Sequence, residues 1–158
     1  MTLRFHTPLS PEEQLAAGLD RPAPVAMADM VRYGELDILN HVNNTAYLVW
    51  TEMVRTRHFD LLCAPHYAGQ PYPRTVLRNA SIHYVKEMLR DEPYVVTARV
   101  LEFRNTSYTM EQQIWSGDLR AVFEGVMVMR TPDGSAGYPL PESLKRYFEE
   151  EEGAKRAG

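Results

Sequence analysis

Asp37-Ile38-Leu39-Asn40-His41-Val42-Asn43-Asn44 runs directly into the one long helical pattern of this 158-residue chain. From Asn44 to about Asp60, Ala46, Tyr47, Trp50, Met53 and Val54 fall close to helical spacing. Leu61 continues the pattern, and no proline or glycine interrupts it. A helix this apolar is expected to lie in the core. The eight residues ahead of it gather a carboxylate, an imidazole and side-chain amides into one loop. How the rest of the chain is arranged around this helix decides the fold.

On the N-terminal side, Val25, Met27, Val31 and Tyr33 occupy alternate positions, interrupted by Asp29, and predict a strand over Val25 to Tyr33. Before it, Ser10-Pro11-Glu12-Glu13 has the form of an N-cap with proline in the first turn. A short helix is expected from there to Gly18, then a linker at Arg21-Pro22-Ala23-Pro24. On the C-terminal side, Pro65, Gly69, Pro71 and Pro73 predict a loop from Ala64 to Thr75 that lies over the site. Four strands should follow: Val76 to Val85, Tyr94 to Phe103, Ser107 to Trp115 and Ala121 to Arg130. They are separated by turns at Arg90-Asp91-Glu92-Pro93, Asn105-Thr106 and Ser116-Gly117-Asp118. The last strand is apolar on both faces, with Phe123, Met127 and Met129 on one and Val122, Val126 and Val128 on the other, as in a central strand. Residues 142–152 suit a short acidic helix, after which a disordered tail is expected. One strand, one long helix and four antiparallel strands make an α+β plan: a five-stranded antiparallel sheet wrapped around one long central helix. The main domain then spans 25–141, between an N-terminal extension (1–24) and a C-terminal helix and tail (142–158).

Composition excludes several classes. Hydrophobic residues at 44% and charged residues at 24% are globular values, and a chain of this length buries roughly two-thirds of its unfolded surface. A net charge of −4 with no basic stripe argues against a nucleic-acid binder. Cys63 is the single cysteine, so an intrachain disulfide is impossible and a thiolate zinc site is disfavoured. No secretory layout opens the chain, and no apolar run approaches the roughly 20 residues of a membrane span. A cytoplasmic location is the resulting expectation.

The loop before the helix carries the chemistry. The first amides of a helix lack intrahelical partners and bear partial positive charge. If Asp37 lies beside them, its carboxylate stays ionised, and the same amides face a site where negative charge develops on an acyl oxygen. Asp37 would then attack a carbonyl carbon or take a proton from water. The plainer alternative is that Asp37 and Asn43 close a turn and cap the helix, as these residue types do well. His41 can orient Asp37 or serve structure only. Its spacing to His6, His58, His66 and His83 does not suit a metal. Glu52, two helical turns past Asn44, faces the same side as the helix N-terminus or pairs with Arg55 on the surface. Ser135 lacks the glycine of a nucleophile elbow, and Cys63 has no activating neighbour in the sequence.

Tyr33-Gly34-Glu35-Leu36-Asp37, continuing through Asn40-His41-Val42-Asn43-Asn44 to Tyr47, Trp50 and Glu52, resembles the 4-hydroxybenzoyl-CoA thioesterase branch of hotdog-fold acyl thioesterases. The strand order from Val25 to Arg130 agrees. The resemblance implies that Asp37 is the catalytic carboxylate and that the backbone N–H of Asn44 polarises the thioester carbonyl. It also implies a homodimer or homotetramer whose sheets join edge to edge. The motif is similar, too, to that of plant acyl-carrier-protein thioesterases, where Asp37 and His41 fit but Leu39 replaces an asparagine. Asn40 stands where many relatives have glycine, and asparagine tolerates a left-handed backbone.

The expected function is therefore hydrolysis of an acyl-CoA to free acid and CoA without a cofactor. Asp37, Asn44 and His41 would be catalytic, and Asn43, Tyr47, Trp50 and Glu52 would bind substrate. The acyl chain should lie along the helix, and Lys86, Arg90 and Arg104 are candidates for the CoA phosphates. Two alternatives share the fold. An enoyl-thioester hydratase is disfavoured by Leu39, by His41 at the fourth place after Asp37 and by the absence of a proline between. The other is a non-catalytic acyl-thioester binding protein.

Overall fold

The computed structural model describes residues 2–158. Helix α1 (Pro11–Ala16) begins with a complete capping box: Ser10 Oγ accepts from Glu13 N–H, and the Glu13 carboxylate accepts from Ser10 N–H. Strand β1 (Val25–Met30) follows, then helix α2 (Asn44–His58), β2 (Arg74–Tyr84), β3 (Pro93–Phe103), β4 (Ser107–Ser116), β5 (Asp118–Arg130), α3 (Glu142–Glu150) and β6 (Lys155–Arg156). The sheet order is β1-β3-β4-β5-β2, all antiparallel, and β6 adds a two-residue parallel pairing to β3. Five antiparallel strands around one long helix are the hotdog arrangement expected from the sequence.

Ala46, Tyr47, Trp50, Thr51, Val54 and His58 form the buried stripe of α2, at the three- and four-residue spacing that aligns side chains along one face. They pack with Val96, Ala98, Val100 and Met110 of the sheet into the main core. A smaller core of Leu9, Leu19, Ala26, Ala28, Val95 and Trp115 forms under the N-terminal extension. That extension also runs along β1: His6 N–H donates to Ala28 O at 3.0 Å and Leu9 N–H to Ala26 O at 2.9 Å. One edge of the sheet is thus covered. The other is not, and ten of the eleven residues of β2 are exposed.

Three expectations need correction. The strand expected to reach Tyr33 ends at Met30, because Tyr33–Glu35 form a 3₁₀ turn that redirects the chain. The loop expected from Ala64 begins later. Helix α2 passes into a π-helical turn at Phe59–Cys63 and a 3₁₀ turn at Ala64–Tyr67, with Cys63 and Tyr67 fully buried. Pro65 is accommodated because it sits in the first turn of that last segment, where its missing N–H is not needed. The tail expected to be disordered is anchored. Glu152 is buried, with Oε2 2.7 Å from His58 Nε2 and Oε1 accepting from Val100 N–H at 2.7 Å. Ala157 N–H donates to Phe103 O, and Arg156 lies over the Phe103 ring. Val100 lies beyond the end of the β1 pairing at Ala98, so the Glu152 carboxylate satisfies a strand amide that would otherwise be orphaned.

Among the described residues no helix is long and apolar enough to cross a membrane.

Candidate active site

The loop ahead of α2 is a small folded unit. Leu36 pairs with Val42, Asp37 N–H donates to His41 O at 2.8 Å, and Asn40 N–H donates to Asp37 O at 3.0 Å. Asn40 takes the left-handed conformation, φ 60°, which its short polar side chain tolerates. Asp37 Oδ1 accepts from Leu39 N–H at 2.8 Å and from His41 N–H at 3.2 Å. This is the turn-closing arrangement that aspartate favours. Asp37 Oδ2 accepts no hydrogen bond among the described residues. The turn therefore holds the carboxylate by one oxygen and leaves the other available.

The same unit is tied to the body of the protein at two places. Val42 N–H donates to Met88 O at 2.9 Å, and His41 pairs with Leu89. Asn43 N–H donates to Glu35 O at 2.7 Å. Sequence reasoning assigns Glu35 no role of its own, yet its side chain organises this end of the helix. Oε1 accepts from Trp50 Nε1–H at 3.0 Å and Oε2 from Arg32 N–H at 2.9 Å. No periodic signal links Glu35 to Trp50, fifteen positions on.

Asn43 caps α2, its Oδ1 accepting from Thr45 N–H at 3.0 Å. The Asn44 N–H has no acceptor among the described residues, so the first helical amide is open to an outside acceptor. Tyr84 of β2 reaches the same turn, donating from its hydroxyl to Asn44 O at 3.3 Å. Behind it, Tyr47 packs edge-on to Tyr84 with centroids 5.1 Å apart, and Trp50 stacks on Tyr94 at 4.0 Å. Burial pushes the Tyr47 phenol up to about 12, so it stays protonated at neutral pH.

The sequence-derived residues separate into two groups. Asn43 and Asn44 open the helix, and ahead of them Asp37 and His41 are bonded to each other in the loop. Tyr47 and Trp50 are buried beneath it, each only 3% exposed. Glu52 lies farther along the exposed face of α2. It does not pair with Arg55, whose guanidinium instead reaches Gln112 Oε1 at 3.2 Å and lies over the Phe123 ring. Two clefts of about 410 Å³ flank α2, and Glu52 stands at the rim of both. One lies toward β1, beside Met27, Trp50, Met53, Val54, Tyr94 and Val96. The other lies toward β2, beside Arg55, Phe59, Leu77, Tyr108 and Met127. Of the basic candidates, Lys86 is held by Asp118 at 3.0 Å and Arg90 lies 3.6 Å from Asp91, while Arg104 has no ion-pair partner among the described residues.

A second polar cluster is sealed in the core. Cys63 Sγ lies 3.8 Å from His58 Nδ1, and the other nitrogen of His58 meets Glu152. The order resembles a nucleophile relay, but burial pushes the Cys63 thiol well above its ordinary range, which removes the thiolate that nucleophilic attack requires. We expect a colorimetric aromatic disulfide to release no thiol-dependent colour from the native protein at neutral pH and one equivalent after denaturation. Rapid native labelling would mean that this cluster opens to solvent.

A family model described as the Thioesterase-like superfamily matches residues 31–148. Among solved structures, one described as a thioesterase superfamily protein from Jannaschia sp. CCS1 is 40% identical. The match covers 98% of this chain and 99% of that one with a TM-score of 0.86. A thioesterase from Thermus thermophilus, solved with coenzyme A and zinc, is 26% identical over 80% of this chain and 98% of that one, with a TM-score of 0.68. A 1,4-dihydroxy-2-naphthoyl-CoA thioesterase from Synechocystis shares the fold at 14% identity, covering 80% of this chain and 96% of that one, with a TM-score of 0.65. No curated protein matches the sequence.

Proposed function

This chain belongs to the Thioesterase-like superfamily and is a thioester hydrolase, and on that premise we propose that it cleaves acyl-CoA at the loop ahead of α2. The observation that carries the reading is a half-buried carboxylate, Asp37, followed seven residues on by the first helical amide, Asn44 N–H, with neither Asp37 Oδ2 nor that amide hydrogen-bonded among the described residues. In the proposed reaction the Asn44 amide donates to the thioester carbonyl oxygen and stabilises the negative charge that develops there. Asp37 Oδ2 either attacks the carbonyl carbon, giving an acyl–enzyme anhydride that water opens, or takes a proton from an attacking water. In both courses the C–S bond breaks and CoA leaves as its thiolate. His41 is tied to Asp37 through the backbone, its N–H and its carbonyl both bonded to that residue, and its role is to position the carboxylate. Coenzyme A bound to the Thermus relative supports CoA as the thiol carried by the substrate.

The active unit is proposed to be a dimer joined through β2. The edge of β1 is covered by the chain's own N-terminal segment, whereas β2 exposes Val76, Leu77 and Tyr84 along an unpaired edge. A long exposed edge strand with apolar side chains invites pairing with another chain. Ile38 and Leu39 at the tip of the Asp37 loop are 96% and 69% exposed, and a partner would cover them. We expect sedimentation at micromolar concentration to give the mass of a dimer or tetramer. A stable monomer with full activity would contradict the shared-edge arrangement. The hydrolytic reading itself is tested by following free thiol released from a panel of acyl-CoA compounds.

A further inference from the structure

The two clefts beside α2 differ in a way that bears on which acyl group is cleaved. The cleft toward β2 lies against the strand proposed to pair with a second copy. The cleft toward β1 lies on the opposite side of the helix, beside the sheet edge that the N-terminal segment already covers. Asp29, Glu52 and Thr56 are among the polar residues around it, and Met27, Trp50, Met53, Val54, Tyr94 and Val96 give it an apolar lining. Two of these are methionines, whose flexible side chains adapt to ligands of varied shape. One wall is fixed by His6, held at φ 59° by its N–H bond to Ala28 O and by Asp29 Oδ2, 3.0 Å from its Nε2. The far rim is polar, with Arg57 and Asp60.

Exposed apolar side chains of α2 lie between the proposed reaction centre and this cleft. Thr45, Val49, Met53 and Arg57 stand four residues apart and so form one ridge along α2. The solvent face of a helix normally carries polar residues, yet Val49 and Met53 are 55% and 58% exposed. Trp50, at the near end of the cleft, is six residues past Asn44, about 9 Å along the helix axis at 1.5 Å per residue. A single aromatic ring attached to a carbonyl at Asn44 is too short to span that distance. An unbranched chain is long enough.

We infer that the cleft between β1 and α2 takes the far part of an aliphatic acyl chain, so that the preferred substrates are medium- to long-chain acyl-CoA thioesters rather than benzoyl-type ones. This rests on the proposed function, because it places the thioester carbonyl at Asn44. The chain runs over Val49 and Met53, enters beside Trp50 and ends before the charged rim at Arg57 and Asp60.

The test is kcat/KM for the purified full-length protein over acyl-CoA substrates from butanoyl to hexadecanoyl, with benzoyl-CoA alongside. Once the chain is long enough to pass Trp50, each methylene entering the cleft should raise kcat/KM about fourfold, the value of one buried CH₂. The rise should stop when the chain reaches the charged rim, and benzoyl-CoA should be a poor substrate. A flat series, or benzoyl-CoA as the best substrate, would overturn the inference while leaving the hydrolase intact. Failure to hydrolyse any member would remove the proposed function and this inference with it. Met53→Lys, at an exposed position that admits a charge without unfolding, should lower the ratio of long-chain to short-chain kcat/KM by about tenfold or more, the cost of a buried charge exceeding that of a lost methylene. Met53→Leu should restore the ratio. A wild-type ratio in the lysine variant would show that the acyl chain lies elsewhere, for instance under a second copy of the chain.

Discussion

Asp37→Asn is expected to lower kcat for acyl-CoA hydrolysis at least tenfold, about 1.4 kcal/mol of barrier, with no loss of fold. The substitution is informative because of how Asp37 is held. Its Oδ1 accepts from Leu39 N–H and His41 N–H, and an asparagine Oδ1 accepts the same two bonds, so the turn survives. What changes is the other atom: a carboxylate oxygen with no partner among the described residues becomes an amide NH₂, which neither attacks a carbonyl nor removes a proton from water. A far-ultraviolet spectrum and melting temperature like those of the parent, with thiol release reduced, would assign the loss to chemistry. Near-parental turnover would confine Asp37 to closing the turn. Asp37→Ala is a poorer test, because it strips both loop bonds and confounds stability with reactivity.

Glu152→Ala is expected to cost about 2–6 kcal/mol of stability, from about 1–3 kcal/mol for each of two buried groups left without an acceptor. Two groups lose their acceptor at once: His58 Nε2 on α2 and Val100 N–H on β3. Both lie in the interior, where unmade bonds carry the full desolvation penalty. Glu152 also fastens the chain after α3 to the central helix, so the segment carrying β6 should detach from β3. Chemical denaturation measures the loss in stability, and hydrogen exchange at Ala157, whose amide bonds to Phe103 O, measures the detachment. A variant as stable as the parent, with Ala157 still protected, would mean that the other contacts of the C-terminal segment with α3 and β3 hold it without Glu152.

Much of the fold was legible because its signals are local. Ala46, Tyr47, Trp50 and Val54 of the expected pattern are buried as one stripe, although Met53 and Leu61 are exposed, and the turns at Asn105-Thr106 and Ser116-Gly117-Asp118 divide the strands where expected. The loop was legible in the same sense: Asp37 and Asn43 are short polar residues ahead of a helix, and they close the turn and cap the helix as such residues do. What escaped depends on distant partners. Pro65 looked like a loop residue because nothing nearby announces that Tyr67 is buried, whereas Gly69 does lie in the turn that follows. Glu152 sits in an acidic run that reads as a solvated tail, and its partner His58 lies 94 positions away. Arg55 was within helical reach of Glu52, yet it is drawn to Gln112, 57 positions on, and to Phe123. Glu52 is thereby left without an ion-pair partner among the described residues, at the rim of both clefts.

The central claim is that this chain breaks a C–S bond in acyl-CoA, and the most direct measurement follows free thiol and free acid together as the purified protein acts on octanoyl-CoA. The account predicts that both products appear in equal amounts, at a rate proportional to protein concentration and over many turnovers. Stoichiometric binding of the intact thioester with no thiol released would contradict it and leave a binding protein. Hydration of an enoyl-CoA with its C–S bond kept would contradict it in favour of a hydratase.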